Sequence, residues 1–467
     1  MTQPHKPNIV LIGFPGVGKS SIGKLVAERL ALPFVDTDEE IVRQEGRPIT
    51  HIFRESGEPF FRELERGVIR QVSQLEGAVI STGGGSVLDP GNVELLGQHG
   101  HLIYLTATPE AVYERLKDQT DRPLLLAQTR WELAEKIRQL MRRRAFDYIQ
   151  STNVIDVTCL DREDVADRII RIYRGELRIC LYGLVGGNLE RTLSPLMHNA
   201  AFNHHRLPCL YHCFETDDLQ AVVARVRRLR IAGFNVTFPY KQTILPLLDE
   251  LTPEARAIGA ANTITNQNGR LTGSNTDAPG AVRYLRAVLQ RKAPGFALAG
   301  ARAVVIGYGG AGRAVAYGLM QAGCRLTLAG RRAEAAAEAA GSLGASHIPL
   351  QQLNCAEFDL LVNATPVGMG ELQDETPISC AALRPGMIVY DLVYSPLETR
   401  LLREAAASGC IAVDGLGMLL HQGALSYQQW TGRRAPRYLM ERVIKRYLAN
   451  PQTVSPRLVK HRDAERD

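Results

Sequence analysis

Two glycine-rich loops carry the residues best suited to phosphate chemistry. GFPGVGKS, from Gly13 to Ser20, lies between the apolar run IVLIG and the amphipathic SIGKLVAERL. It therefore matches the G-x-x-x-x-G-K-[ST] loop in the strand-to-helix setting that its mechanism requires. Gly13, Gly16 and Gly18 permit a loop whose backbone N–H groups converge on phosphates, Lys19 neutralises the terminal groups, and Ser20 offers a hydroxyl to Mg²⁺. Val17 and Ser21 complete the nucleotide-facing set. A second loop, GYGGAGRA, follows the strand-like RAVVIG and opens a helix, as a dinucleotide-binding turn must, with Gly307, Gly309, Gly310, Ala311 and Gly312 as its contacts. About 20 residues on, where an NAD site places an acid on the ribose, the chain reads LAGRRAEA. Arg331 and Arg332 there favour the 2′-phosphate of NADP(H).

A third pair suits proton transfer. Lys241 in NVTFPYK and Asp277 in GSNTD could protonate a carbonyl oxygen while a nicotinamide delivers hydride. Taken singly, each has an ordinary reading: a surface lysine after a proline turn, and an aspartate capping a helix.

These residues need elements to position them. From Ile9 to Ile172 short β-branched runs (IVLIG, AVIST, HLIYL) alternate with amphipathic stretches such as ELAEKIRQLMRRR, which predicts a parallel sheet flanked by helices. The helix-like REDVADRIIRIY ends at Arg174 and Gly175, and LRICLYGL starts a new unit after a very short linker. The fold class is α/β throughout. We expect a P-loop kinase-type domain over 1–175, a second α/β domain over 177–278 completed by helices in 419–450, a Rossmann domain over 279–418, and a disordered polar tail over 451–467.

Bulk properties narrow the function. At roughly 150 residues per domain, 467 residues suit about three compact units. The net charge of +6 is the small remainder of 55 basic and 49 acidic side chains, so nucleic acid and anionic membrane are not expected partners. Eight scattered cysteines suit reduced thiols. Cys209 and Cys213, in CLYHC beside His204, His205 and His212, raise a metal site, yet no second ligand pair follows. No apolar run reaches the roughly 20 residues that span a bilayer, and MTQPHKPN lacks a charged leader before an apolar core. The expectation is a cytoplasmic protein.

The phosphate loop is followed in order by DTD (36–38), GEPFFRELE with Arg62, TGGG (82–85), DRPLL with Arg122, and RRRAFDY with Arg144. This series resembles shikimate kinase from Asn8 to about Arg174. The resemblance implies that Asp38 holds the acceptor hydroxyls, Arg62 and Arg144 clamp a carboxylate, and Gly83, Gly84 and Gly85 line the pocket. It also implies that Asp36 serves the Mg²⁺ shell with Ser20, that Arg122 sits on a closing lid near the phosphoryl group of ATP, and that Arg115 lies against adenine. A polyhydroxy acid requires such acceptors and bidentate guanidinium forks. The chain departs from the family pattern at Phe146 and Asp147, where proline and leucine are usual.

The series YGLVGGNLERTLSPLMHNAAF, NVTFPYK, GAANT and GSNTD, continued by NATPVGM and DGLGMLLHQGA, resembles shikimate dehydrogenase from about Leu177 to Leu448. Here the resemblance makes Lys241 and Asp277 the catalytic pair and places Asn262 on substrate hydroxyls. Thr192, where serine is usual, and Ser194 would take the carboxylate with Thr237 and Gln422. Asn363, Ala364, Thr365 and Gly415 join the NADP set, and Gly330 stands where an asparagine is common. The two resemblances imply one chain that reduces 3-dehydroshikimate with NADPH and phosphorylates the resulting shikimate with MgATP. A kinase unit kept only as a sensor, an NAD-linked quinate/shikimate dehydrogenase and a nucleic-acid binder are the rival readings.

Overall fold

A computed structural model describes residues 6–118, 125 and 127–449. Arg122 and the segment 451–467 lie outside the described residues. Contacts divide the chain into two compact units: one holds the residues up to Tyr182 with Phe202–Glu215, the other Gly183–Ala201 with Thr216–Ala449.

The first sheet comprises β1 (Asn8–Ile12), β2 (Phe34–Asp36), β3 (Val79–Ser81), β4 (Gly100–Thr106) and β5 (Val154–Asp156), in the order β2-β3-β1-β4-β5. All its pairings are parallel. The run NIVLI is buried along its whole length, as a central strand covered on both faces must be. β1 therefore delivers Gly13 to the carboxyl edge of the sheet, and the helix Lys19–Leu30 leaves from the phosphate loop.

The second sheet contains β6 (Cys180–Gly186), β7 (Cys209–Glu215), β8 (Gly233–Val236), β9 (Glu250–Leu251), β10 (Thr263–Gln267) and β11 (Arg270–Ser274), ordered β7-β6-β8-β10-β11-β9. It is mixed: β10 runs antiparallel to β8 and β11. The tight β10–β11 hairpin turns at Asn268 and Gly269, both at positive φ. The CLYHC segment forms β7, and among the described residues no group of three His, Cys, Asp or Glu could hold a metal.

The third sheet is β12 (Arg302–Ile306), β13 (Arg325–Gly330), β14 (Ser346–Pro349), β15 (Leu360–Asn363), β16 (Ile388–Asp391) and β17 (Ile411–Val413), ordered β14-β13-β12-β15-β16-β17. All its pairings are parallel, and the order reverses beside β12, where a doubly wound sheet binds its ligand. The helix Leu416–Thr431 packs back on the second sheet: Trp430 Nε1 donates to Ile264 O at 3.1 Å. Among the described residues, no helix is long and apolar enough to cross a membrane.

Candidate active sites

In the phosphate loop Gly13, Gly16 and Gly18 all hold positive φ, a region that only glycine enters without strain. Lys19 is buried and donates from Nζ to Gly13 O at 2.7 Å and Phe14 O at 3.1 Å, so its charge is held over the loop. Ser20 Oγ donates to Asp36 Oδ2 at 2.6 Å. The other oxygen of Asp36 accepts from Asp38 N at 3.0 Å and Glu39 N at 3.4 Å, capping the helix Thr37–Glu45. Two hard oxygen ligands, one in the first turn of the helix after the phosphate loop and one at the end of β2, suit Mg²⁺, which takes few protein ligands and keeps waters and phosphate oxygens. Ser21 Oγ turns to Gly18 O at 3.1 Å, and Val17 is buried. Arg115 holds the loop from outside, reaching Gly16 O and Val17 O at 3.4 Å and Val157 O at 3.0 Å; burial lowers its pKa.

The TGGG segment is where this site converges. A Cβ on Gly83 would lie 2.6 Å from Asp38 Oδ1 and 2.9 Å from Glu65 Oε1, one on Gly84 2.5 Å from Pro15 Cδ, and one on Gly85 2.6 Å from Arg62 Nη1. The Pro15 ring leaves no room for a side chain at Gly84, whereas a side chain at Gly83 or Gly85 would displace the polar ends of Asp38, Glu65 and Arg62. Arg62 pairs with Glu65 at 2.7 Å and with Glu58 at 2.9 Å. Arg144 lies against the Tyr148 hydroxyl, which donates to Gly84 O at 2.5 Å. Burial pushes the Tyr148 pKa up to about 12, with the Arg144 and Arg62 cations pulling the other way. Asp38, Arg62 and Arg144 are thereby gathered around one glycine segment.

Sequence reasoning missed Glu65 and Tyr148. Glu65 is 1 % exposed and also accepts from Ser86 Oγ at 2.7 Å; its spacing of three from Arg62 on a helix was a usable signal. Tyr148 lies one helical turn after Arg144, but nothing local foretells its partner on the glycine segment.

In the second unit Lys241 Nζ donates to Asp277 Oδ2 at 2.6 Å, with the two side chains 16 % and 4 % exposed. Neither ordinary reading holds: Lys241 is no free surface lysine, and the N-cap is Thr276 while Asp277 begins the helix Asp277–Lys292. The positive end of that helix favours the carboxylate. Asn262 Nδ2 lies 2.8 Å from Asp277 Oδ1, 2.9 Å from Thr276 Oγ1 and 3.3 Å from Gln422 Oε1. Gln422 is brought there by a close helix crossing, since a Cβ on Gly280 would meet its backbone N at 2.8 Å. Thr263, Thr276, Ser426 and Asn235 form a buried hydrogen-bonded cluster behind Asn262, which sequence reasoning also missed. Thr192 accepts from Ser194 N at 3.3 Å at the start of the helix Ser194–His204. Thr237 N bonds Val185 O at 2.9 Å, joining the ends of β8 and β6.

The dinucleotide turn obeys its rules: Gly307 has φ 102°, a Cβ on Gly309 would meet open space, and one on Gly312 would strike Gly307 O. Arg331 and Arg332 are exposed, and Arg332 Nε lies 3.3 Å from Tyr308 Oη. Gly330 is explained by the Tyr308 ring, which occupies the space of a Cβ there. Open backbone, exposed guanidiniums and a glycine turn on a helix N-terminus fit NADP(H).

Two of the expected NADP residues also have structural parts. The Asn363 amide is consumed internally, donating to Asp391 Oδ1 at 2.9 Å and Val367 O at 3.0 Å and accepting from Thr365 Oγ1 at 2.7 Å. Ala364 and Thr365 face the turn instead, about 3 Å from where a Cβ on Gly307 would sit. Gly415 is buried against the carbonyls of Leu392 and Val393, which leave no room for a Cβ.

Three family models match parts of the chain. Residues 15–174 match the shikimate kinase model, 184–264 the shikimate dehydrogenase substrate binding domain, and 415–445 the shikimate 5′-dehydrogenase C-terminal domain. The chain is 44 % identical to the NADP⁺ shikimate dehydrogenase of Moorella thermoacetica, over 57 % of its own length and 92 % of the relative. For the Pyrococcus furiosus enzyme the figures are 41 %, 59 % and 97 %. Among solved structures, shikimate 5-dehydrogenase of Thermus thermophilus in complex with NADP(H) and shikimate aligns with TM-score 0.52 and 38 % identity, over 57 % of this chain and 98 % of that one. A chorismate mutase/shikimate 5-dehydrogenase fusion from Clostridium acetobutylicum aligns with TM-score 0.53 and 28 % identity, over 59 % and 100 %. The chain belongs to the shikimate dehydrogenase family and carries a shikimate kinase domain ahead of it.

Proposed function

We propose that this chain performs two consecutive steps: NADPH-dependent reduction of 3-dehydroshikimate to shikimate by the C-terminal part, and MgATP-dependent phosphorylation of shikimate to shikimate 3-phosphate by the N-terminal part. The observation that carries the first step is the Lys241–Asp277 contact at 2.6 Å with Asn262 on the second carboxylate oxygen. Bound NADPH supplies hydride and bound MgATP the transferable phosphoryl group. Lys241 gives a proton to the carbonyl oxygen as the alcohol forms, and Asp277 fixes the direction of the ammonium. Asn262 and Gln422 orient hydroxyls, while Thr192, Ser194 and Thr237 take the carboxylate. In the N-terminal site Asp38 accepts the proton of the attacking 3-hydroxyl, Arg62 and Arg144 hold the carboxylate, and Lys19 stabilises charge spreading over the phosphoryl oxygens. Arg122 would act with Lys19 on the phosphoryl charge.

Eight free thiols suit a reducing, cytoplasmic setting. The test is to incubate the whole chain with 3-dehydroshikimate, NADPH and MgATP and to follow NADPH loss and shikimate 3-phosphate together. Both signals are expected. NADPH loss with shikimate accumulating would reduce the N-terminal part to a binding module; no NADPH loss would overturn the first step.

A further inference from the structure

Three of the four glycines in GYGGAG have a reason within the dinucleotide turn: the positive φ of Gly307, the open approach at Gly309, and the packing of Gly312 on Gly307. Gly310 has none of these. It begins the helix Gly310–Gln321, and its φ is not positive, so any residue could take its backbone conformation. What forbids a side chain is Lys241: a Cβ on Gly310 would lie 2.6 Å from Lys241 Cβ, 3.0 Å from Cδ and 3.3 Å from Cγ. The obstacle is the stem of the lysine, close to its Cα and unable to swing aside like a flexible tip.

We propose that Gly310 is a positioning residue for proton transfer: by lacking a side chain it seats the stem of Lys241 so that Nζ meets Asp277. This rests on the reading of Lys241 as proton donor. Lys241 has a second constraint on its far end, the 2.6 Å bond to Asp277 Oδ2, and its backbone carbonyl accepts from Ala261 N at 2.8 Å. The stem is therefore held at both ends and along its side. The first turn of the cofactor helix is the side wall.

A methyl at position 310 must restore an ordinary separation of about 3.4 Å or more, and with Gly310 fixed in the first turn of its helix the Lys241 stem is pushed aside by close to 1 Å. A 1 Å misplacement of a reacting group costs on the order of a hundredfold in rate. The added methyl points at Lys241 and leaves the open approach at Gly309 unchanged, so cofactor affinity should be spared.

The experiment compares Gly310→Ala, Lys241→Met and the native chain for NADPH affinity by fluorescence and for kcat and KM with 3-dehydroshikimate. The expected result is NADPH affinity of Gly310→Ala within about threefold of native with kcat lower by about a hundredfold, and Lys241→Met nearly inactive. Gly310→Ala that binds NADPH and turns over at the native rate overturns the inference while the reading of Lys241 stands. Gly310→Ala that no longer binds NADPH also overturns it, since the glycine would then serve the cofactor. Lys241→Met with native kcat would remove the premise itself.

Discussion

Replacing Asp391 by asparagine should make the stability of the dehydrogenase unit less sensitive to pH. The Asp391 side chain is fully buried at the end of β16. Oδ1 accepts from Asn363 Nδ2 at 2.9 Å and Val393 N at 3.1 Å, and Oδ2 from Thr399 Oγ1 at 2.7 Å. Burial outweighs these donors and raises the pKa from 3.8 to about 6. A rise of roughly two units corresponds to about 3 kcal/mol against the ionised form in the folded state. Because the folded pKa lies above the unfolded one, the folded chain holds more protons between these values. The contribution is therefore full below about pH 4, falls as pH rises to about 6, and is flat beyond about pH 7. Asparagine removes the titration and keeps an oxygen for Asn363 and Val393. Melts of both full-length chains at pH 5 and pH 8, read on the transition that NADPH shifts upward, isolate the effect. From pH 5 to pH 8 the native chain should lose between about 1 and 2 kcal/mol relative to the variant, a few degrees in Tm. Parallel pH dependence of the two would refute the burial argument.

Tyr148→Phe removes the bond to Gly84 O and should raise the shikimate KM of the phosphorylation several-fold, leaving ATP KM and the reduction unchanged in initial-rate assays. Gly280→Val forces the helices at 277–292 and 416–431 apart at Gln422, at a cost of about 1–3 kcal/mol; the KM for 3-dehydroshikimate should rise while phosphorylation kinetics stay native. Arg331→Ala should weaken NADPH about tenfold or more and leave NADH unaffected, measured as the ratio of kcat/KM for the two cofactors. Chelation with EDTA should abolish phosphorylation and spare NADPH oxidation, because the proposed Mg²⁺ ligands Ser20 and Asp36 belong to the N-terminal site alone.

The local rules that the sequence obeys made much of this visible. Phosphate loop, dinucleotide turn and flanking strands are written in contiguous residues, since loop conformation and helix start depend on neighbours within a few positions. The same holds for the alternation of elements and hence for the α/β class with its successive sheets. Residue type alone also set the charge logic of Arg331 and Arg332. The partners of those residues were another matter. Lys241 meets Asp277 across 36 positions and Asn262 meets Gln422 across 160, distances over which no periodicity carries information, so that only the family resemblance named Lys241 and Asp277 as a pair. Those meetings depend on the order of strands and on where two helices cross. Glu65 behind Arg62, Tyr148 on Gly84, and the internal use of Asn363 by Asp391 were decided by packing, because a buried polar group must take whichever partner the assembled core presents. Gly310 shows the division most directly: its sequence context marks it as one more glycine of a cofactor loop, and only the fold brings the stem of Lys241 against it.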